Sequence, residues 1–192
     1  MIYIIDDFLD NDILEAINKD KSNFIEHKTP NKSFWVKHAS KEFINIVLDK
    51  LSHYEGFELE NVLGFFREAK INQDDDWRIH NDSIINNVRP DRAAVIYLSE
   101  KDNDVLGLTG TAFWSHEDHG HAKDLRDVND FNNVLIEDAN DLSKWKLESI
   151  VGHRKNRLVS YPCGYFHSKY PNKYINSRVV FVIFYKIKNK NE

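Results

Sequence analysis

Residues 178–187 read RVVFVIFYKI, and this stretch decides the fold. Every position from Val179 to Tyr185 is apolar, so a strand formed here has two apolar faces that must both be covered. Upstream segments follow the two-residue period of strands, and we predict strands over 2–5, 62–71, 92–99, 109–114, 147–153 and 157–161. A sheet folded over on itself would cover both faces of the last strand.

The N-terminal part of the chain is predicted to be helical. Asp10 or Asn11 is placed to cap a helix over the sequence ILEAINK of residues 13–19. A second helix is predicted over Lys41–His53, where apolar residues recur at helical spacing, and Gly56 follows where a helix stop belongs. Because helices come first and strands follow, the order predicts an α+β fold with antiparallel sheets and the helices packed outside.

The composition excludes several classes of protein. A chain of 192 residues suits one domain, and 41% hydrophobic with 30% charged residues is typical of a globular protein. With 26 Lys and Arg against 31 Asp and Glu, the net charge is −5, which does not favour nucleic acid. The longest apolar run is too short to span a membrane, the N-terminus MIYIIDDFLD lacks the basic region of a signal peptide, and the lone Cys163 suits a reducing compartment. We therefore expect a single cytoplasmic domain with neither a nucleic-acid nor a membrane partner.

The first group of residues with chemical potential is His80-Asn81-Asp82. On an extended backbone, residues two apart point to the same side, so an imidazole and a carboxylate are presented together. These are two parts of a metal site. By itself the pattern is weak, and a surface turn capped by Asp82 accounts for it equally well.

The second group lies far downstream. A strand-like run reaches the kink Pro162-Cys163-Gly164 and then delivers His167, and Arg178 opens the final apolar strand. Arginine rarely faces inward without an anionic partner, which is either a structural carboxylate or the carboxylate of a ligand. Two histidines and one carboxylate on one face of a metal leave adjacent positions open, as in non-haem Fe(II) oxygenases. An arginine fork suits the far carboxylate of a 2-oxo acid.

With these motifs in order, the chain resembles the Fe(II)/2-oxoglutarate-dependent dioxygenases, specifically the prolyl-4-hydroxylase-like branch, over about residues 60–187. The matching motifs are His80-Asn81-Asp82 with Trp77 before it, the strand 92–99, the segment 110–114, the segment 156–167 and the closing strand Ser177-Arg178-Val179-Val180-Phe181. The opening IYIIDDFLDNDILEAI is also similar to the N-terminus of that branch.

The resemblance implies a double-stranded β-helix (jelly-roll or cupin-like) core over about 60–187, with helical support over about 1–58. It implies that His80, Asp82 and His167 bind iron. Arg178 would then pair with the distal carboxylate of 2-oxoglutarate, and the Tyr97 hydroxyl would donate a hydrogen bond to that carboxylate. The implied cofactors are Fe(II), 2-oxoglutarate as cosubstrate and, as an optional addition, ascorbate. The implied reaction is hydroxylation of a peptidyl residue or a small molecule, in which 2-oxoglutarate and O₂ yield succinate and CO₂.

Some positions depart from the family pattern. Lys70 stands where the family often has a tyrosine that contacts the 2-oxo acid, Ser99 stands where asparagine is typical, and Val180 stands where serine is frequent. Whether Lys70 takes over the contact of the tyrosine is left open. The departures concern prime-substrate recognition and the first-strand contacts to the cosubstrate, and not the iron ligands or Arg178.

The remaining candidates are interpreted as follows. The spacing of His116, His119 and His121 suits either a second metal site or a solvated loop at the mouth of the barrel, and we favour the loop. We predict that His27, His38 and His53 are surface or packing residues of the helical region and that Cys163 is a packing residue. The long polar segment 118–146 is predicted to be a lid or binding loop that selects the substrate.

Two alternatives stay open at this point. One is a cupin-like binding protein that keeps the metal site and has lost catalysis. The other is a metal-dependent enzyme of the same fold, such as an isomerase or hydrolase, that does not use 2-oxoglutarate. Binding of 2-oxoglutarate that depends on Arg178 would separate both from an oxygenase.

Overall fold

The computed structural model describes residues 1–20, 23–29, 32–70, 76–100, 108–123, 133–172 and 177–188. The helices are α1 (Asn11–Lys19) and α2 (Lys41–Glu55). The strands are β1 (Tyr3–Ile5), β2 (Ile25–Thr29), β3 (Lys32–His38), β4 (Leu59–Ala69), β5 (Arg92–Tyr97), β6 (Gly110–His116), β7 (Trp145–Gly152), β8 (Leu158–Pro162), β9 (His167–Tyr170) and β10 (Arg178–Ile187). Short helical turns at Asn133–Glu137, Asp138–Asn140 and Leu142–Lys144 precede β7. No helix among these residues has the length and hydropathy needed to cross a membrane.

The strands form two antiparallel sheets, as the order of helices and strands in the sequence predicts. The larger has seven strands in the order β1-β8-β5-β10-β4-β3-β2, and the smaller has three in the order β7-β6-β9. An isolated bridge between His80 and His167 adds the segment around His80 to the free side of β9. Mostly antiparallel sheets with few helices make this an α+β fold.

Strand β10 is covered on both faces, as its apolar sequence predicts. It pairs with β4 along its whole length and with β5 from Val180 to Tyr185, and Val182 lies opposite Phe65 in β4 and Val95 in β5. Phe181 and Ile183 belong to a core cluster with α2, whereas Val180 and Phe184 belong to a second cluster with Val95, Tyr161 and Cys163. The second face is the one that carries the site described below.

Helix α2 packs against the first cluster. It begins at Ser40, whose hydroxyl accepts a hydrogen bond from the Phe43 amide at 3.1 Å, and it ends at Gly56, whose φ of 75° is accessible to glycine at low cost. The Phe43 ring lies 5.3 Å from Phe66 and 4.8 Å from Phe181. This contact joins the helix to β4 and β10.

Three strands were not predicted from the sequence, and two of them change the interpretation of the N-terminal part. Residues 25–38, assigned above to a helical region, form the antiparallel pair β2–β3, which extends the large sheet beyond β4. His27 and His38 are therefore strand residues and not helical ones. Strand β2 lacks clear alternation of apolar and polar residues because it is an edge strand, and its Ile25 is exposed. Strand β9, with the sequence HSKY, is short and largely polar.

Candidate metal centre

The segment around His80 is held from both sides by backbone hydrogen bonds. His80 and His167 exchange both of their backbone bonds, at 3.0 and 2.8 Å. The Ile79 amide donates to the Ala139 carbonyl and the Asp82 amide to the Cys163 carbonyl, each at 2.8 Å. These hydrogen bonds fix residues 79–82 beside β9, although the segment is not a regular strand.

The structure brings His80, Asp82 and His167 together although 85 residues separate the second and third in sequence. Each offers one ligand atom, and the three atoms lie within 4.8 Å of one another. One carboxylate oxygen of Asp82 lies 3.7 Å from His80 Nε2, and the other lies 3.3 Å from His167 Nε2. Among the described residues this is the one group of three that has such spacing.

The orientation of both rings suits a metal ion. His80 Nδ1 lies 2.8 Å from the Arg78 carbonyl and His167 Nδ1 lies 3.0 Å from the Tyr165 carbonyl. A carbonyl only accepts, so each Nδ1 donates its hydrogen, and Nε2 is the atom of each ring that faces Asp82. Three electron-donating atoms then converge on one point, which a divalent cation would stabilise. The donor set is therefore compatible with a first-row divalent metal.

The electrostatics agree with this arrangement. Burial lowers the pKa of His80 well below 6.5, and the nearby Arg78 guanidinium lowers it further, which favours the neutral ring that binds a metal. Burial raises the pKa of Asp82, which means that its charge is costly without a neighbouring cation. A metal ion at this point would compensate that cost.

The three side chains open into a cavity of about 490 Å³ between the two sheets. Its walls include apolar residues on the inner face of the large sheet, namely Leu63, Phe65, Val95, Val180, Val182 and Phe184. Arg178 lies on the same face, is buried, and also lines the cavity. Its Nη2 lies 3.5 Å from the Thr111 hydroxyl, and its guanidinium lies 5.0 Å from the centre of the Tyr97 ring.

Several solved structures with a similar fold are 2-oxoglutarate-dependent oxygenases or prolyl hydroxylases. HygX from Streptomyces hygroscopicus, solved with nickel, 2-oxoglutarate and hygromycin B bound, matches with a TM-score of 0.61 and 12% identity, covering 97% of this chain and 83% of its own. A prolyl-4-hydroxylase from Pseudomonas putida matches with a TM-score of 0.55 and 12% identity, covering 98% and 93%. An oxidoreductase of the 2OG-Fe(II) oxygenase family from Burkholderia pseudomallei matches with a TM-score of 0.59 and 13% identity, covering 98% and 85%. No protein-family model and no curated protein matches the chain.

The chain has the fold of the Fe(II)/2-oxoglutarate-dependent oxygenases. Because the sequence identities are low, this likeness shows the fold and nothing about the reaction.

Within this oxygenase fold, Tyr97 occupies a different place from the one expected for a ligand-binding hydroxyl. Its hydroxyl lies 2.7 Å from the Thr111 hydroxyl and 3.4 Å from the Val151 carbonyl, which it can reach as a donor. Its ring lies between the Arg178 guanidinium and the His153 ring, at 5.0 and 4.7 Å. Among the described residues Tyr97 does not line the cavity. The Tyr97 ring packs against the Arg178 guanidinium. A direct contact between the Tyr97 hydroxyl and a carboxylate of 2-oxoglutarate stays a prediction.

Sequence reasoning missed several residues of the cavity. Arg67, Arg78, Thr111 and Tyr161 all line it, and the Tyr161 ring lies 4.6 Å from the His167 ring. The alternation of β4 offered a signal for Arg67, because it has the same parity as Leu63 and Phe65. No sequence pattern indicated that Arg78, Thr111 and Tyr161 line the cavity, because their positions depend on how the two sheets pack together.

Other candidates lie away from the cavity. The Lys70 ammonium lies over the Trp35 ring at 3.2 Å, and Lys70 is not among the described residues that line the cavity. Burial raises the pKa of the Cys163 thiol within the second core cluster, which agrees with a packing role.

The loop histidines form no metal cluster with other described residues. His116 is buried and not solvated, contrary to the loop interpretation, because its Nε2 lies 3.1 Å from Asp138 and its ring packs against His119. His121 is exposed.

The described parts of the long segment 118–146 support the site without lining the cavity. Within its described parts, 118–123 and 133–146, no residue lines the cavity. Instead, the Ala139 carbonyl accepts from the Ile79 amide and the Asn140 side chain accepts from the Arg78 amide at 2.9 Å. Val134 and Trp145 dock this segment in a third core cluster with Ile79. The remaining residues of the segment, 124–132, lie outside the described part of the chain.

Proposed function

We propose that this protein is a non-haem Fe(II)- and 2-oxoglutarate-dependent oxygenase that hydroxylates a peptidyl residue or a small molecule. The observation that carries the proposal is the convergence of His80, Asp82 and His167 in a cavity whose wall includes the buried Arg178. A metal site alone suits many enzymes. A buried guanidinium in the same cavity suits an anionic cosubstrate.

We propose further that the core is a double-stranded β-helix in a single domain. In chain order, β4, β5, β8 and β10 belong to the large sheet, whereas the His80 segment, β6, β7 and β9 belong to the small sheet. This alternation between two facing sheets supports a jelly roll with two extra strands, β2 and β3, at one edge. The contact of Phe43 with Phe66 and Phe181, on the face opposite the cavity, supports a position for α2 outside the barrel.

In this proposal the residues have distinct tasks. His80 and His167 bind Fe(II) through Nε2 and Asp82 binds it through a carboxylate oxygen. The Arg78 and Tyr165 carbonyls hold the two imidazoles in the required tautomer. Arg178 pairs with the distal carboxylate of 2-oxoglutarate, and Tyr97 and Thr111 hold the guanidinium in position.

Bound Fe(II) and 2-oxoglutarate together supply the oxidising power to hydroxylate a C–H bond with O₂, releasing succinate and CO₂. The chain contributes position and shelter. The apolar wall of Val95, Val180, Val182 and Phe184 excludes water from the space between Arg178 and the ligand atoms. The ring of Tyr161 covers His167 from the inner face.

The test is an anaerobic titration with Fe(II) followed by 2-oxoglutarate, observed through the weak visible charge-transfer band of the chelate. The wild-type protein should develop the band, and His80→Ala, Asp82→Ala and His167→Ala should each abolish it while retaining a folded circular dichroism spectrum. The matched control is His53→Gln, which removes an exposed histidine on α2 and should leave the titration unchanged.

The same experiment distinguishes the alternatives. A protein that binds Fe(II) through these three residues and ignores 2-oxoglutarate is a metal-dependent enzyme or binding protein of another kind. A protein that binds both and never releases succinate under O₂ is the catalytically silent form. Either result contradicts the proposal.

A further inference from the structure

Three basic side chains surround one aromatic ring at the edge of the cavity. The Phe34 ring on β3 lies 4.9 Å from the His27 ring, 5.7 Å from the Arg67 guanidinium and 5.8 Å from the Arg78 guanidinium. All four residues line the cavity. We call His27, Phe34, Arg67 and Arg78 the Phe34 cluster.

The cluster is built on the two strands that extend the large sheet. His27 lies directly opposite Phe34 in the β2–β3 pair, and Val36 lies opposite Arg67 in the β3–β4 pair. Phe34 and Val36 share a face, so β3 brings the aromatic ring to the side of Arg67 that faces away from β10. The guanidinium of Arg67 therefore lies on the β3 side of β4, next to the Phe34 ring.

The fourth member of the cluster is joined directly to the metal centre. Arg78 precedes His80 by two residues, and its carbonyl accepts the hydrogen bond that orients the His80 ring. Its φ of 45° is in the left-handed region, which is costly for a residue with a side chain. This backbone conformation lets one residue orient a metal ligand and also bring its guanidinium to Phe34. Arg67 and Arg78 both lower the pKa of His80 and Asp82, so they act within electrostatic range of the centre.

The described lining of the cavity carries more basic than acidic side chains. Its described lining residues include Arg67, Arg78, Lys169 and Arg178, and Asp82 is the single carboxylate among them. Lys37 also lines it and pairs with Asp20 at 2.9 Å. The arginines form two groups that are positioned by different neighbours.

Arg178 contacts Thr111 and Tyr97, whereas Arg67 and Arg78 contact Phe34. A 2-oxo diacid has two carboxylates, and the proposed function assigns one to the metal and the other to Arg178. It therefore leaves the Phe34 cluster for a different anion.

We propose that the Phe34 cluster binds an anionic group of the prime substrate, a carboxylate or a phosphate, and so positions that substrate beside the metal centre. This inference rests on the proposed function and names its substrate class. Guanidinium groups bind such anions through paired hydrogen bonds, and the Phe34 ring restricts their motion before the substrate arrives. His27 is exposed, which places this end of the cluster at the entrance.

The test uses calorimetric titration of the protein loaded with Mn(II) in place of Fe(II) and saturated with 2-oxoglutarate, so that no turnover occurs. The probes are N-acetylaspartate, its neutral counterpart N-acetylasparagine, and inorganic phosphate. The wild-type protein should bind N-acetylaspartate at least tenfold more tightly than N-acetylasparagine. Arg67→Gln and Arg78→Gln should each weaken N-acetylaspartate and phosphate by about tenfold or more.

The control variant is Arg154→Gln, which removes an arginine that pairs with Asp6 and Asp7 outside the cavity. It should leave the affinity for every probe unchanged. Affinity for 2-oxoglutarate should stay within threefold of wild type in Arg67→Gln and Arg78→Gln. A further probe, the blocked tripeptide acetyl-Ala-Asp-Ala-amide, identifies the source of the anion. Tighter binding than N-acetylaspartate supports an acidic peptide, and weaker binding supports a small acid.

Two results would overturn the inference. One is equal affinity for N-acetylaspartate and N-acetylasparagine in the wild-type protein. The other is a loss of 2-oxoglutarate binding in Arg67→Gln and Arg78→Gln with N-acetylaspartate unaffected, because the cluster would then serve the cosubstrate. A wild-type protein that binds N-acetylaspartate through the cluster and does not bind 2-oxoglutarate would refute the proposed function and support the anion subsite.

Discussion

Replacing Arg178 tests the cosubstrate assignment most directly. The side chain is buried on the inner face of β10, with its guanidinium over the Tyr97 ring at 5.0 Å and Nη2 at 3.5 Å from the Thr111 hydroxyl. A carboxylate bound there would form a sheltered ion pair. Removing one partner of such a pair costs about 3–5 kcal/mol. At about 1.4 kcal/mol per factor of ten, Arg178→Met should weaken 2-oxoglutarate roughly 100- to 5,000-fold.

Methionine is the better replacement because it keeps the length and apolar stem of the side chain while removing the charge. Arg178→Lys keeps a charge and loses the planar fork, so we expect a weakening of roughly 10- to 100-fold, about that of one charge-assisted hydrogen bond. Tyr97→Phe removes a hydroxyl whose neighbours are Thr111 and Val151. Its effect should be about that of one neutral hydrogen bond, roughly 2- to 10-fold.

The assay is calorimetric titration of the Mn(II)-loaded protein with 2-oxoglutarate, with metal affinity measured in the same preparation. Metal affinity should stay near wild type in all three variants because none of them replaces a metal ligand. The reasoning is refuted if Arg178→Met binds 2-oxoglutarate within threefold of wild type, or if Tyr97→Phe has the larger effect.

Two further predictions concern stability. Leu51→Ala should lower the free energy of unfolding in urea by about 2–5 kcal/mol, because Leu51 is fully buried where α2 meets the core. The control Leu142→Ala, on a side chain 41% exposed, should change the free energy of unfolding by about 0.5 kcal/mol or less, and equal effects would contradict the packing of α2. The side-chain hydrogen bond from Arg157 lowers the pKa of Asp6 below 3.8 in the folded protein, so the unfolded chain binds a proton at Asp6 more readily. The resulting stabilisation is complete above pH 3.8 and is lost as the pH falls through the pKa of Asp6 in the folded protein. Asp6→Asn and Arg157→Gln should therefore each reduce the slope of unfolding free energy against pH below pH 3.8, and an unchanged slope in both would refute this linkage.

Much of the fold could be predicted from local patterns. The apolar run in β10 required cover on both faces, and the helical period over α2 together with Gly56 located that helix closely. Local patterns failed for β2, β3 and β9. Strand β2 lies at an edge and β9 has only four, largely polar residues, so hydrophobic alternation is weak in both. Strand β3 lies inside the sheet, but among its described side chains only Lys37 is buried, so it shows no apolar alternation either.

The candidate site divides in the same way. His80, Asp82, His167 and Arg178 were found from residue type, spacing and strand ends, because metal ligands and buried cations are chemically conspicuous in a sequence. The role of Lys70 could not be decided by counting back from His80. Strand parity decides which face a residue occupies, and Lys70 lies over Trp35, away from the cavity.

The sequence by itself determined the positions of the two helices, the need for a doubly covered final strand, and the three side chains that converge, His80, Asp82 and His167. These follow from periodicity and from the chemistry of single residues, which are local properties. Only the tertiary structure decided that Tyr97 lies beneath Arg178, and that Arg67 and Arg78 meet at Phe34. Those contacts join residues from separate strands and loops, and their geometry depends on how the sheets and edge strands come together, which no local pattern encodes.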